Sequence, residues 1–82
     1  MSKFAIDNST DKSLKLVIES WADLEILAPK GRAEFEYSEP ADLLFALRQD
    51  GAIVVEIMSD NIKVTANGGE KSFKPPGGWE GQ

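Results

Sequence analysis

Pro40-Ala41-Asp42-Leu43-Leu44-Phe45-Ala46-Leu47-Arg48-Gln49-Asp50-Gly51-Ala52-Ile53-Val54-Val55-Glu56-Ile57-Met58 is the stretch on which the fold turns. Its first half supports two readings. Taken locally, residues 40–49 suit a short helix: Pro40 fits a first helical turn, Asp42 complements the positive end of the dipole, and Gly51 stands where a helix stops. Residues 43–49 also have good helix propensity. Taken together with residues 50–58, the same residues read as a strand. Asp50-Gly51 is a strong two-residue hairpin signal, and residues 52–58 behind it are rich in β-branched side chains. A five-residue apolar run has no period that separates the two. Context therefore decides, with a strand as the preferred reading and a short helix at 40–49 as the alternative. On the strand reading, residues 43–47 and 53–55 are expected in central strands, because they are apolar on both faces.

Outward from this stretch the chain keeps alternating. Upstream, Arg32-Ala33-Glu34-Phe35-Glu36-Tyr37 sends Ala33, Phe35 and Tyr37 one way and Glu34 and Glu36 the other, a pattern that a helix would scatter. Leu14-Lys15-Leu16-Val17-Ile18-Glu19, Leu24-Glu25-Ile26-Leu27-Ala28 and the short Phe4-Ala5-Ile6 alternate similarly, as does Ile62-Lys63-Val64-Thr65-Ala66 downstream. Turn formers punctuate the runs: residues 8–13, Trp21-Ala22-Asp23, Pro29-Lys30-Gly31 and Ser59-Asp60-Asn61. The expectation is an all-β fold, a small antiparallel β-sandwich or barrel of about seven short strands joined by hairpins. Residues 1–66 form one domain on this reading. From residue 67 the composition changes, with five of the seven glycines and two of the four prolines. Residues 67–82 are expected to be a flexible Gly/Pro-rich tail, with room for a short edge strand at 71–74.

Composition narrows the function. The 82 residues include no histidine and no cysteine. Ser-His-Asp and Cys-His catalysis are therefore ruled out, zinc and copper lose their usual ligands, and a disulfide scaffold is impossible. No phosphate-binding glycine pattern occurs, since Gly68-Gly69 and Gly77-Gly78 are doublets rather than a cradle after a strand. The expectation is a non-enzyme without a cofactor or a metal. The net charge is −5, and between Glu19 and Asp42 seven acids face only Lys30 and Arg32. Nucleic acid and anionic membrane surfaces need a basic footprint and are poor partners for such a chain. With no apolar run long enough to cross a bilayer, no signal-type segment at the start and no cysteine, a cytoplasmic location is expected. Asn8-Ser9-Thr10 matches a glycosylation sequon but reads better as turn chemistry.

Asn8-Ser9-Thr10-Asp11, then Leu14-Lys15-Leu16-Val17-Ile18-Glu19-Ser20-Trp21, then residues 24–28 and Pro29-Lys30-Gly31 resemble a group of short uncharacterised bacterial proteins. Their pattern runs Asn-x-Ser/Thr-Asp, a strand ending Glu-x-Trp, a strand, then Pro-x-Gly, and the resemblance spans residues 6 to about 66. The chain departs from it between Trp21 and Leu24, where that group tends to carry glycine. The resemblance implies a bacterial source and an all-β fold. It brings no activity and no site residues.

The remaining candidates are charges and tryptophans. Glu34 and Glu36 share a strand face and, with Glu19 and Glu25, suggest an acidic surface for a basic protein partner. Trp21, flanked by Glu19 and Asp23, suits either an end plug of the sandwich or a place to stack a sugar or hold a cation. Trp79 follows Pro75-Pro76-Gly77-Gly78, which has the composition of peptide-recognition segments. The functional expectation is a small interaction or accessory domain working through the acidic face, Trp21 or the tail. The alternative is a small-ligand site, for a sugar or a divalent cation, at the loop end near Trp21 and Asp23. The oligomeric state is left open.

Overall fold

Asp42–Leu47 is a strand in the computed structural model, which describes residues 1–19 and 22–73. The helix alternative at 40–49 is thereby corrected: pairing with the β-branched run at 53–58 overrides the local helix propensity. Among the described residues eight strands form in chain order: β1 (Ser2–Asp7), β2 (Leu14–Glu19), β3 (Asp23–Leu27), β4 (Arg32–Tyr37), β5 (Asp42–Leu47), β6 (Ile53–Met58), β7 (Ile62–Ala66) and β8 (Gly69–Phe73). They make two four-stranded sheets, the first ordered β1-β4-β7-β8 and the second β3-β2-β6-β5. The architecture is an open sandwich rather than a barrel. All pairings are antiparallel except β2 with β6, which is parallel. An all-hairpin chain would have no parallel pair. One arises here because the β2–β3 and β5–β6 hairpins enter the same sheet side by side.

The strand count and two boundaries also differ from the expectation. Asn67-Gly68 is a two-residue turn in which both residues have positive φ, 54° and 74°, the backbone of a type I′ hairpin. It closes β7 onto β8 with Ala66 opposite Gly69. The sheet therefore runs through the composition change at residue 67 and takes in Gly69–Phe73. The β5–β6 connection is longer than two residues. Gly51 N donates to Arg48 O at 3.0 Å, Arg48 N donates to Ala52 O at 2.8 Å, and Gly51 has φ 88°. This is a three-residue loop with a left-handed last residue.

The alternation buries one face of each inner strand. Leu16, Ile18, Val55 and Ile57 of the second sheet meet Ala33, Phe35, Ile62 and Val64 of the first. The chain crosses between sheets four times, and two side chains tie these crossings in pairs. Asn8, 2% exposed, donates from Nδ2 to Lys12 O at 2.7 Å, Ala28 O at 3.1 Å and Leu27 O at 3.2 Å. Its Oδ1 accepts from Thr10 Oγ1 at 2.6 Å, and its backbone N donates to Gly31 O at 2.8 Å. The β1–β2 and β3–β4 connections are thus joined, and the sequon is turn chemistry. At the other end Ser59 Oγ donates to Ser38 O at 2.7 Å and accepts from Ser38 N at 3.1 Å, joining the β4–β5 and β6–β7 connections.

Candidate functional site

Four strands are sheet edges, and three carry charge inside the strand: Lys3 and Asp7 in β1, Asp23 and Glu25 in β3, Glu70 and Lys71 in β8. Charges on an edge discourage pairing with another chain. β5 is the exception. After Asp42 it reads Leu43-Leu44-Phe45-Ala46-Leu47, and every residue of it is exposed. Leu43 is 37% exposed, Phe45 50%, Leu44 60% and Leu47 77%. Among the described residues no strand pairs with its outer edge. The expectation that this apolar run sits at a sheet centre is therefore corrected. Residues 53–55 are central and residues 43–47 are not, because β5 is joined to β6 by a hairpin and, among the described residues, no strand lies beyond it in the second sheet.

The register defines two surfaces on β5. Leu43, Phe45 and Leu47 lie opposite Ile57, Val55 and Ile53, and so face the layer between the sheets. Phe45 there meets Phe4 edge-on, ring centroids 5.4 Å apart, and Phe4 stacks on buried Phe35 at 4.7 Å. Leu44 and Ala46 face outward. Ala46, Val54, Val17 and Leu24 form one apolar row across all four strands of the second sheet. On the same face exposed Ile26 lies opposite Lys15, and exposed Met58 lies beyond Glu56, opposite Asp42. The outer face of the first sheet is different. Its rows carry Lys3, Glu36 and Lys63, then Ala5, Glu34, Thr65 and Glu70, which is a mixture of signs.

The acids anticipated as one surface are dispersed. Glu34 and Glu36 lie on the outer face of the first sheet, where Arg32 is 3.7 Å from Glu34 and Lys63 is 3.5 Å from Glu36. Glu19 lies on the outer face of the second sheet beside Glu56. Asp23 and Glu25 sit between the sheets at the β3–β8 edge. Glu25 is 8% exposed and pairs with Lys71, which also meets Asp23 at 3.0 Å. Asn67 Nδ2 donates to Glu25 Oε1 at 3.3 Å and Ile26 O at 2.8 Å. Hydrogen bonding to Glu25, then to Asp23, holds the Lys71 ammonium above its ordinary value. The cluster is a clasp between sheets, with its polar groups satisfied by one another. The hollow beside it, lined by Glu25, Val64, Ala66, Gly69, Glu70 and Lys71, measures about 140 Å³, small against the roughly 300 Å³ at which small-molecule sites begin. Trp21 and Trp79 fall outside the described residues. Among those described, no three acids gather in a way that would hold a metal ion, and no helix is long and apolar enough to cross a membrane.

No protein-family model, curated protein or solved structure matches the chain. The site therefore rests on geometry alone. Sequence alternation does not mark residues 43–47 as a site, because an apolar run looks the same at a sheet centre and at an edge. The signal that distinguishes it is that, among the described residues, no strand after the hairpin joins the same sheet beyond β5, which only the strand order reveals.

Proposed function

We propose that this chain is a non-catalytic interaction domain whose docking surface is the open edge of β5 and the apolar row beside it. The observation that carries the reading is an edge strand with a five-residue apolar run after Asp42 and three large side chains at least half exposed, where the other edges among the described residues carry charge inside the strand. An unpaired edge offers a ladder of main-chain donors and acceptors, and the alternate side chains supply specificity, as in β-strand addition. Contiguous exposed apolar surface of this kind marks association sites. The dispersal of Glu19, Glu25, Glu34 and Glu36 moves the proposed surface away from the acids and towards β5, so the partner chemistry is an extended apolar strand rather than a basic patch.

A photo-crosslinking residue placed at Leu44, compared with one at Thr65 on the mixed-charge face, tests the reading. Crosslinked adducts from the Leu44 position and none from Thr65 are expected in the source cells. Equal labelling from both positions, or none from Leu44, would overturn it.

A further inference from the structure

We infer that the occupant of the β5 edge is a second copy of β5, paired antiparallel about a two-fold axis at Phe45. This inference rests on the docking surface proposed above and names its partner. Three constraints lead to it. The first is hydrogen-bond parity. Arg48 N donates to Ala52 O of the neighbouring strand, so in an alternating ladder residues 42, 44 and 46 also turn their amides toward β6, and residues 43, 45 and 47 turn theirs to the open edge. Two copies can pair only if outward residues meet outward residues.

The second constraint is charge. Of the registers that parity allows, the one centred on Phe45 places Asp42 opposite Arg48 of the partner subunit, twice by symmetry. Centring on Leu44 puts Asp42 opposite the partner's Ala46. Centring on Ala46 puts Asp42 against the partner's Asp50, a like-charge pair that is unfavourable across strands. Arg48 already holds Asp50 at 3.1 Å, but a guanidinium has five donors and can serve both carboxylates.

The third constraint is apolar matching. The same register sets Leu43 against the partner's Leu47 and Phe45 against the partner's Phe45. The aromatic row from Phe35 through Phe4 to Phe45 would then continue across the axis. Such an interface is isologous and closed. It joins the two second sheets into one and leaves neither β5 edge open.

The test uses the full chain in sedimentation equilibrium and amide exchange from micromolar to near-millimolar concentration. The expected mass rises from 9.0 kDa to twice that value. The amides of Leu43, Phe45 and Leu47 should gain protection in step, while those of the β1 edge should not. Asp42→Arg should weaken the pair about tenfold or more, since it sets like charges opposite each other at two places. Adding Arg48→Asp to the same chain should restore pairing, because the reversed charges again meet. Circular dichroism checks that each variant is folded. A mass that stays at 9.0 kDa, a dimer whose three amides exchange as in the monomer, or a double variant that fails to recover would each overturn the inference. A monomer that still crosslinks a different protein from Leu44 would end self-pairing and leave the docking surface standing. A monomer with no crosslink would end both.

Discussion

Asn8 is the residue whose replacement says most about why this chain folds. Its amide satisfies three carbonyls of two separate connections from a site only 2% exposed. Removing a buried hydrogen-bonding group leaves its partners unsatisfied at about 1–3 kcal/mol each when they cannot reach water. Some of these carbonyls lie near the surface and will recover a water. Asn8→Ala is therefore expected to destabilise the domain by about 2–3 kcal/mol in urea denaturation. A loss under about 0.5 kcal/mol, the range of ordinary surface substitutions, would show that the connections hold without it. The opposite sign is expected at Lys30. It is the third residue of the turn closed by Gly31 N donating to Ala28 O at 2.8 Å, and its φ is 64°. A side chain in that region is strained, whereas glycine enters it freely. Lys30→Gly gives up the contact from Nζ to Ser9 O at 3.0 Å, an exposed bond of small net value. A gain of about 0.5–1 kcal/mol is expected in the same measurement.

At the scale of the element, the β5–β6 hairpin shows both how far the sequence is legible and where it stops. That a hairpin occurs at Asp50-Gly51 is legible from turn chemistry. Its register is not. A two-residue turn would set Gln49 against Ala52, but the three-residue loop sets Arg48 there and slips the pairing by one. Such a slip exchanges the faces of a strand, so it decides that Phe45 looks to the sandwich interior and Leu44 outward. The Asn67-Gly68 turn was equally legible. It was obscured by the glycines and prolines after it, whose composition reads as a tail although the first strand-length of it pairs with β7. Asp50 gives the hairpin a testable anchor. Its Oδ1 accepts from Ala52 N at 3.0 Å. That bond is the largest cause holding its carboxyl below the ordinary 3.8; it outweighs the opposing effect of desolvation, and the charges of Arg48 and Lys15 add to it. A carboxyl depressed in the folded state stabilises it above the unfolded value, and the contribution is lost as pH falls through the folded value. The hairpin is therefore expected to keep this anchor fully above about pH 4 and to lose it in stronger acid. The Ala52 amide shift should titrate with a midpoint under 3.8, and Asp50→Asn should abolish that titration. A midpoint at or above 3.8 would show that the carboxylate does not anchor the hairpin.

The whole molecule adds what neither residue nor element contains, namely which strand has neighbours on both sides. Alternation in the sequence assigned faces correctly for β2, β4 and β7, because inward apolar residues repeat at every second position there, but it inverts β3, where Glu25 and Leu27 turn inward and Leu24 and Ile26 outward. It could not assign strand order, since the partners of β2 and β6 come from distant parts of the chain. The same chemical deletion should therefore behave differently at two phenylalanines. Phe35 is fully buried between the sheets, and Phe35→Ala is expected to cost about 3–5 kcal/mol. A domain of 82 residues has only about 4–12 kcal/mol in total, so this variant should be close to unfolding at 37 °C. Phe45 is half exposed, lies opposite Val55 and meets Phe4 in a T-shaped contact. Phe45→Ala should cost about 1 kcal/mol in dilute solution, the value of an aromatic pair plus partial burial. If β5 pairs with its own copy, folding and association are linked, and the native chain becomes more stable as concentration rises. The gap between native and Phe45→Ala would then widen with protein concentration while the gap to Phe35→Ala in the monomer stayed fixed. Urea midpoints measured across a hundredfold range of concentration separate the two cases. A Phe45→Ala gap that does not change would place Phe45 in the stability of one chain alone and detach it from any self-pairing edge.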